Sequence, residues 1–357
     1  PLTNTAELLQ GVVPGMEIRR TNQGKVGEEG YDIRLRGVTS RSDPGILVVV
    51  DGIPYSDNNA NALNKINPQD IENITILKDA QAAIYGARAA GGVLLVTTKK
   101  GKTEKPTISY TGNFNFNTPA SVPQKVNVLQ HIEMMGELYA NDGISNHFFT
   151  HLLPYVNTAD IYSKNPEVVK GPFGDTPDLV LGWHDWWKEM YGTAFDHSHN
   201  LSISGGSEKS NYYASIGYLD QGSMFNYGEH NNKKYWGRFK YEYNLNKYIK
   251  LRSNVYVGRK KVTEPYDINQ LAWLTYWTWN CQPTFNPQGQ YYGSGGFGNP
   301  IAFAEHTGNR WKTYYSYYTQ LGFDITPLKN LTITGDMSLN YDISDEKYYR
   351  KRHQTYH

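Results

Sequence analysis

The sequence predicts a mixed α+β domain of about 100 residues followed by antiparallel transmembrane β-barrel strands, with residues 1–105 in the first part and 106–357 in the second. Three observations carry this prediction. Segments after Pro106 alternate apolar and polar residues with period two, and they approach or reach the roughly 9–11 residues a tilted strand needs to cross a bilayer. The connections between them alternate short and long, as a barrel with short periplasmic turns and long extracellular loops would have. Aromatic residues make up 14% of the chain, with 29 tyrosines, which suits aromatic girdles at two membrane interfaces.

The first part has the texture of short strands and small helices. Glu7–Gln10 suits a short helix, and Met16–Arg20 and Tyr31–Arg36 alternate as strands with Ile33 and Leu35 on one face. Gly45–Asp51, GILVVVD, reads as a buried strand that ends in the DGIP turn Asp51–Pro54. Asp57–Asn64 is an Asn-rich loop. Ile66–Lys102 then reads as strand, short helix, glycine-rich turn and strand. Ile74, Ile76 and Leu77 make an extended run, and Ala80–Tyr85 suits one helical turn. Gly86, Gly91 and Gly92 free the backbone for a reversal into the apolar run Val93–Thr98.

Seven period-two segments follow. Their apolar faces are led by Phe114 in Thr107–Asn117, Leu201 in His199–Gly206, Ile216 in Asn211–Gly222 and Phe239 in Tyr235–Asn246. Val257 leads Ile249–Lys260, Phe323 leads Tyr314–Thr326, and Met337 leads Leu331–Asp342. His199–Gly206 is short unless it begins nearer Phe195. Short turns are expected at Ser207–Ser210, Asn246–Tyr248 and Pro327–Asn330. Long loops are expected at Thr118–Ala194, Asn226–Lys234 and Val262–Thr313. A soluble β-sandwich also alternates in this way, but its strands run nearer 5–6 residues and its loops need not alternate in length.

Composition excludes several classes. Lys and Arg total 35 against 34 Asp and Glu, so no charge excess points to nucleic acid. No run approaches the roughly 18 apolar residues of a membrane helix, which leaves strand-based spans open. The single Cys281 excludes an internal disulfide framework and a Cys-based zinc site. Pro1 opens into LTNTAELLQG, which has neither the charged region nor the apolar core of a signal peptide, so an exported protein would appear here without its true N-terminus.

Ile66–Lys102 closely resembles the end of the plug domain in SusC/RagA-like TonB-dependent outer-membrane transporters. The shared succession is Asn67-Pro68-x-Asp70-Ile71-Glu72, then LKDA at Leu77–Ala80, the YGARAA turn at Tyr85–Ala90 and the TTKKG exit at Thr97–Gly101. LQGVVPGMEI at Leu9–Ile18, IRLRGV at Ile33–Val38 and LVVVDGIP at Leu47–Pro54 extend the resemblance over about Leu9–Lys102. The chain departs from the family pattern at Val12, where Arg is usual, and at Gly91, where Asn is frequent. GGSEKSNYYASIGYLDQGSMF at Gly205–Phe225 further resembles the family's second and third barrel strands. Plugged barrels have about 22 strands, so the chain reads as the front third of a longer protein.

The resemblance implies active import of oligosaccharides, or of peptides in the RagA-like branch, across a Gram-negative outer membrane. It implies a SusD-like surface lipoprotein as lid, energy from the TonB complex acting on a segment before Pro1, contact with outer-membrane lipid, and a dimer of transporter–lid pairs. It implies no cofactor and no nucleic acid. The alternatives are a siderophore or cobalamin transporter, disfavoured by the LKDA and GARAA wording, and a soluble glycan-binding β-sandwich.

Candidate sites follow from residue chemistry. Inward-facing Arg238, Lys240, Glu242, Lys250 and Arg252 would line a charged lumen. Arg34, Arg36, Asp51 and Arg88 are the candidate gate between plug and barrel. Trp273, Trp277, Trp279, Tyr291 and Tyr292, with Tyr276, form an aromatic group in the third long loop. They suit stacking on sugar rings, a girdle, a loop core or a lid contact. Gly293–Gly298 beside them lacks the Lys-Ser/Thr of a phosphate loop. His197 and His199 share a strand face, and with His184 they offer no recognisable metal-ligand spacing. No nucleophile–base pair and no G-x-S-x-G elbow supports an enzyme.

Overall fold

The computed structural model describes residues 5–11, 14–21, 25–35, 45–55, 63, 66–144, 149, 152, 167–169, 179–293, 298–352 and 355–356. The N-terminal domain opens with helix α1 (Thr5–Leu9) and the antiparallel hairpin β1 (Met16–Thr21) and β2 (Gly30–Leu35). A four-stranded sheet follows, built from β3 (Leu47–Val50), β4 (Ile53–Pro54), β5 (Ile71–Leu77) and β6 (Val93–Thr98) in the order β4-β3-β6-β5. The β3 and β6 strands are parallel and central, and both are apolar and largely buried. That is the pattern of a strand covered on both faces. Gly91 permits their close approach, because a Cβ there would lie 2.0 Å from the Gly45 carbonyl oxygen. The expected helical turn is two 3-10 segments, Asp79–Gln81 and Ala83–Ala89, broken at Gly86 where φ is 70°.

The second part is a seven-stranded antiparallel wall in the order β15-β14-β13-β12-β11-β10-β7. Its strands are β7 (Thr107–Asn117), β10 (Ala194–Gly206), β11 (Ser210–Gly222), β12 (Asn231–Asn244), β13 (Ile249–Pro265), β14 (Asn309–Leu328) and β15 (Leu331–Tyr348). The expected phase holds throughout. Phe114, Leu201, Ile216, Phe239, Val257, Phe323 and Met337 are all exposed on the outer face. The inner face carries Leu219, Trp236, Tyr256 and Tyr318, which join Ile33, Ile46, Val48 and Leu94 of the N-terminal domain in one core. The first domain therefore packs against the inner face of the wall.

Strand ends differ from the sequence reading. β10 begins at Ala194, and β12, β13, β14 and β15 extend past the expected bounds to Asn231, Pro265, Asn309 and Tyr348. The long loops are correspondingly shorter than expected. These extensions carry polar residues on both faces, so alternation vanishes while ladder pairing continues, as in Asn231↔Thr263 and Arg310↔Tyr348.

The loops on the long-connection side fold into small helices. These are α2 (Val128–Asn141), α3 (Trp186–Met190), α4 (Ile268–Trp277) and α5 (Pro300–His306), with a two-stranded ribbon of β8 (Glu167–Val169) and β9 (Leu179–Leu181). Asn127 and Gln130 form a capping box for α2, Asp267 caps α4, and Asn299 caps α5 with Pro300 at its first turn. Two loop cores result. Trp186, Met190, Leu271, Leu274 and Ile301 make one, and Val128, Ile132, Phe149 and Cys281 make the other.

Candidate functional site

The contact between the N-terminal domain and the wall is held by carboxylates on the first and cations on the second. Asp70 lies at the end of a 3-10 turn that Asn67 caps, just before β5, and is fully buried. Its Oδ1 accepts hydrogen bonds from Tyr213 Oη at 2.9 Å and Ser215 Oγ at 2.7 Å. Its Oδ2 faces Arg238 Nε at 3.4 Å. Arg238 also donates to Asn254 Oδ1 at 3.1 Å and lies over the Tyr256 ring at 5.1 Å. A guanidinium this buried needs all of these partners, since an unpaired buried charge is strongly unfavourable.

Asp51 makes the second contact. It ends β3 in a left-handed conformation, with φ at 48°, followed by Gly52 at 86°. That turn aims its carboxylate at β6 and the wall together. Thr98 donates its N–H to Oδ1 at 2.9 Å and its hydroxyl to Oδ2 at 2.6 Å. Lys240 Nζ lies 3.0 Å from Oδ2, and Asn254 Nδ2 donates to the same oxygen at 3.0 Å. A cavity of about 420 Å³ opens beside this contact, lined by Asp51, Thr98, Lys240, Glu242, Arg252 and Gln320 among others. The remaining lumen charges pair within the wall: Lys250 with Glu242 at 2.8 Å, and Arg252 with Asp324 at 3.0 Å and Asp336 at 3.3 Å.

Glu28 makes the third contact. Both its carboxylate oxygens lie 2.6 Å from Lys312 Nζ, and Tyr314 Oη donates to it at 2.9 Å. Burial pushes the Glu28 carboxyl up, but the Lys312 and Tyr314 hydrogen bonds and the nearby cations pull harder, so its pKa falls below the ordinary value of 4.5. Lys260 Nζ donates to the Gly27 carbonyl at 2.7 Å alongside it.

The gate residues singled out from sequence divide. Asp51 reaches the wall. Arg34 bonds Asp32 at 2.8 Å and Arg88 donates to the Tyr55 carbonyl at 3.0 Å, both within the N-terminal domain. Arg36 lies outside the described residues. The candidates drawn from sequence, three arginines and Asp51, do not include Asp70 and Glu28, which also reach the wall. Asp70 stands inside the Asn67–Glu72 motif, and that placement was the available signal.

The aromatic group of the third loop also divides. Trp273 and Trp277, one helical turn apart on α4, have ring centroids 6.0 Å apart and are exposed; Tyr276 beside them is 60% exposed. Trp279 packs edge-on against Phe149 at 4.9 Å, and Tyr292 is buried. Tyr291 donates to Glu305 at 2.6 Å. The expected loop tip beside them falls largely outside the described residues, at 294–297. Lys125, whose ammonium burial pushes down to about 8, donates to the Thr278 carbonyl at 2.9 Å and ties the first long loop to the third. His197 and His199 contact each other at 3.2 Å on the outer face. His184 lies instead in the loop layer beside Trp186. Among the described residues no group of three or more His, Cys, Asp or Glu could hold a metal ion.

The chain is similar to known proteins in both parts. Residues 1–93 match the family model for the TonB-dependent receptor plug domain. The TonB-dependent receptor SusC of Bacteroides thetaiotaomicron is 33% identical over 231 residues, covering 62% of this chain and 19% of the relative. The TonB-dependent receptor P26 of Formosa agariphila is 30% identical over 97% of this chain and 32% of its own length. The chain thus spans about a fifth to a third of the length of these relatives. Among solved structures, the RagAB peptide importer in its closed-closed state aligns at a TM-score of 0.75 and 24% identity, over 97% of this chain and 40% of that one. Its open-open state aligns at 0.74. At this identity the likeness speaks for the fold.

Proposed function

From a chain that carries the plug and opening barrel strands of a SusC/RagA-like TonB-dependent transporter, we propose that the whole protein imports oligosaccharides across the Gram-negative outer membrane. Residues 1–105 are the plug and residues 106–357 the first strands of the barrel with their extracellular loops. The observation that carries the reading is the carboxylate-to-cation contact between the two parts. Asp70, Asp51 and Glu28 fix the plug inside the wall through polar bonds to Arg238, Lys240 and Lys312. Such bonds can be exchanged for water when the plug is pulled, and they flank the apolar patch of Leu219, Trp236, Tyr256 and Tyr318 that also packs on the plug. TonB supplies the pull, and a SusD-like lipoprotein closes the mouth above the loop helices. The mechanism is movement of a gate, with no covalent chemistry and no catalytic residue. Cargo shifts that gate only through its differential affinity for the closed and open states.

The exposed Trp273, Tyr276 and Trp277 on α4 support a sugar cargo or a lid contact, since aromatic faces stack on the apolar faces of sugar rings. Peptide import is the second reading, favoured by the likeness of the fold to the RagAB peptide importer. Mass spectrometry of ligand released from the native complex separates them. Oligosaccharide is the expected release, and peptides alone would overturn the sugar reading. Extraction into buffer as a soluble monomer without detergent would overturn the membrane reading altogether.

A further inference from the structure

We propose that Lys233, Arg259 and Lys261 form a site on the outer face of the wall for the phosphate group of a membrane lipid. Lys233 of β12 and Lys261 of β13 are direct cross-strand partners. Like charges placed directly opposite on one face destabilise a sheet, so this pair calls for a compensating anion. Arg259 stands two residues from Lys261 on the same face, diagonal to Lys233 and opposite Tyr235. Its guanidinium lies 6.0 Å from the Tyr315 ring centroid, which holds the planar fork at the surface. Asp220 lies 3.5 Å from Lys233 Nζ and offsets one of the three charges. Among the described residues neither Arg259 nor Lys261 has a carboxylate within ion-pair distance, so two positive charges remain uncompensated.

Position selects the kind of anion. Below Lys233 and Lys261, toward the short turns and level with Arg259, the outer face carries Tyr218 and Tyr235, whose ring centroids are 4.8 Å apart, and then Ile216, Phe239 and Val257. Aromatic side chains above an apolar band mark the membrane–water interface. Lys233 and Lys261 stand one register step to the loop side of it and Arg259 stands level with it, which puts the group at headgroup height. A phosphate there would accept the Arg259 fork bidentately and the two ammonium groups from either side, while its acyl chains lie on the apolar band. The site rests on the membrane reading above and is independent of the cargo.

The test uses the full-length transporter in non-ionic detergent, titrated with phosphatidic acid, with diacylglycerol of the same chains, and with inorganic phosphate. Native mass spectrometry counts retained lipid, and the temperature of the heat-dependent shift in gel mobility reports stabilisation. Phosphatidic acid is expected to bind and to raise that temperature. The triple variant K233Q/R259Q/K261Q, still heat-modifiable and so still folded, is expected to bind it about tenfold more weakly or worse. Lys329→Gln, at a short turn on the opposite rim, is expected to bind like the wild type. Equal retention by the triple variant, or equal retention of diacylglycerol by the wild type, overturns the proposal. An equal response to inorganic phosphate overturns the lipid assignment. Because no cargo is present, these results stand apart from the sugar-or-peptide question, and failure of the membrane reading would show earlier, as extraction without detergent.

Discussion

Replacing Asp70 by alanine in the full-length protein should loosen the plug while sparing the barrel. The substitution removes the acceptor of the Tyr213 and Ser215 hydroxyls, at 2.9 and 2.7 Å, and the carboxylate facing Arg238 at 3.4 Å. Breaking a buried ion pair from one side costs roughly 3–5 kcal/mol. Here the low end applies, because Arg238 keeps Asn254 and the Tyr256 face. About 3 kcal/mol corresponds to a roughly hundredfold rise in the population of plug segments released from the wall. Hydrogen exchange read by mass spectrometry checks this. Peptides covering Ile71–Leu77 and Val93–Thr98 should exchange faster by that factor, while β12 and β13 amides stay protected. Asp70→Asn keeps an oxygen for the two hydroxyls but loses the charge, so it should fall between wild type and Asp70→Ala. Unchanged exchange in Asp70→Ala would refute the reasoning. Equal effects of the two variants would refute the part assigned to charge.

Further outcomes follow from other contacts. The Glu28 carboxyl titrates below its ordinary 4.5 in the folded protein, so its docking contribution is full above that value and is lost as pH falls through the lower folded pKa. Exchange of the Lys25–Leu35 segment should therefore rise on acidification below about pH 4.5, and Glu28→Gln should remove that component. Gly101→Ala should lower the yield of heat-modifiable barrel, because a Cβ at Gly101 would fall 2.3 Å from the Tyr212 backbone nitrogen. Trp277→Ala should weaken oligosaccharide binding about fivefold in calorimetry, the equivalent of about 1 kcal/mol for a lost aromatic stack, with no change in barrel stability. The Cys281 thiol is buried and pushed up to about 12, so maleimide labelling at pH 8 should be slow in the native protein and fast after unfolding.

The barrel was legible in the sequence where one face meets an apolar surround and the other a polar one. Ile333 through Tyr341 on β15 alternate cleanly, and that alternation gave both the strand and its inward face. Beyond the apolar band the inner face packs polar residues such as Asn232 and Lys312 against the N-terminal domain, so Asn231–Lys234 and Arg310–Thr313 carry no alternation, although backbone pairing holds them in strands. The loop helices were missed for another reason. Strand alternation alone leaves 118–194 as one long loop, yet Asn127 and Gln130 stand at capping-box spacing and Val128, Ile132 and Met135 at helical spacing. The gate was half legible. Charge on the wall is legible in Arg238 and Lys240, but which plug residue meets which cation depends on the angle at which the two parts pack. No local pattern encodes that angle. A search for plug arginines therefore found Arg34 and Arg88, which are engaged by Asp32 and the Tyr55 carbonyl.

Asp51 sets two demands on one position that almost no side chain meets together. Its backbone, with φ at 48°, favours glycine, while its carboxylate is bound by Thr98, Lys240 and Asn254. Glycine would relax the turn and leave Lys240 with the Thr98 carbonyl but without a carboxylate. Glutamate would keep the charge, but on a longer arm and a less tolerant backbone. Asparagine alone tolerates the left-handed turn and keeps an oxygen within reach, at the loss of the charge. Mutational drift at residue 51 thus has one narrow exit, and taking it would turn an ionic latch into a neutral one without altering the fold around it.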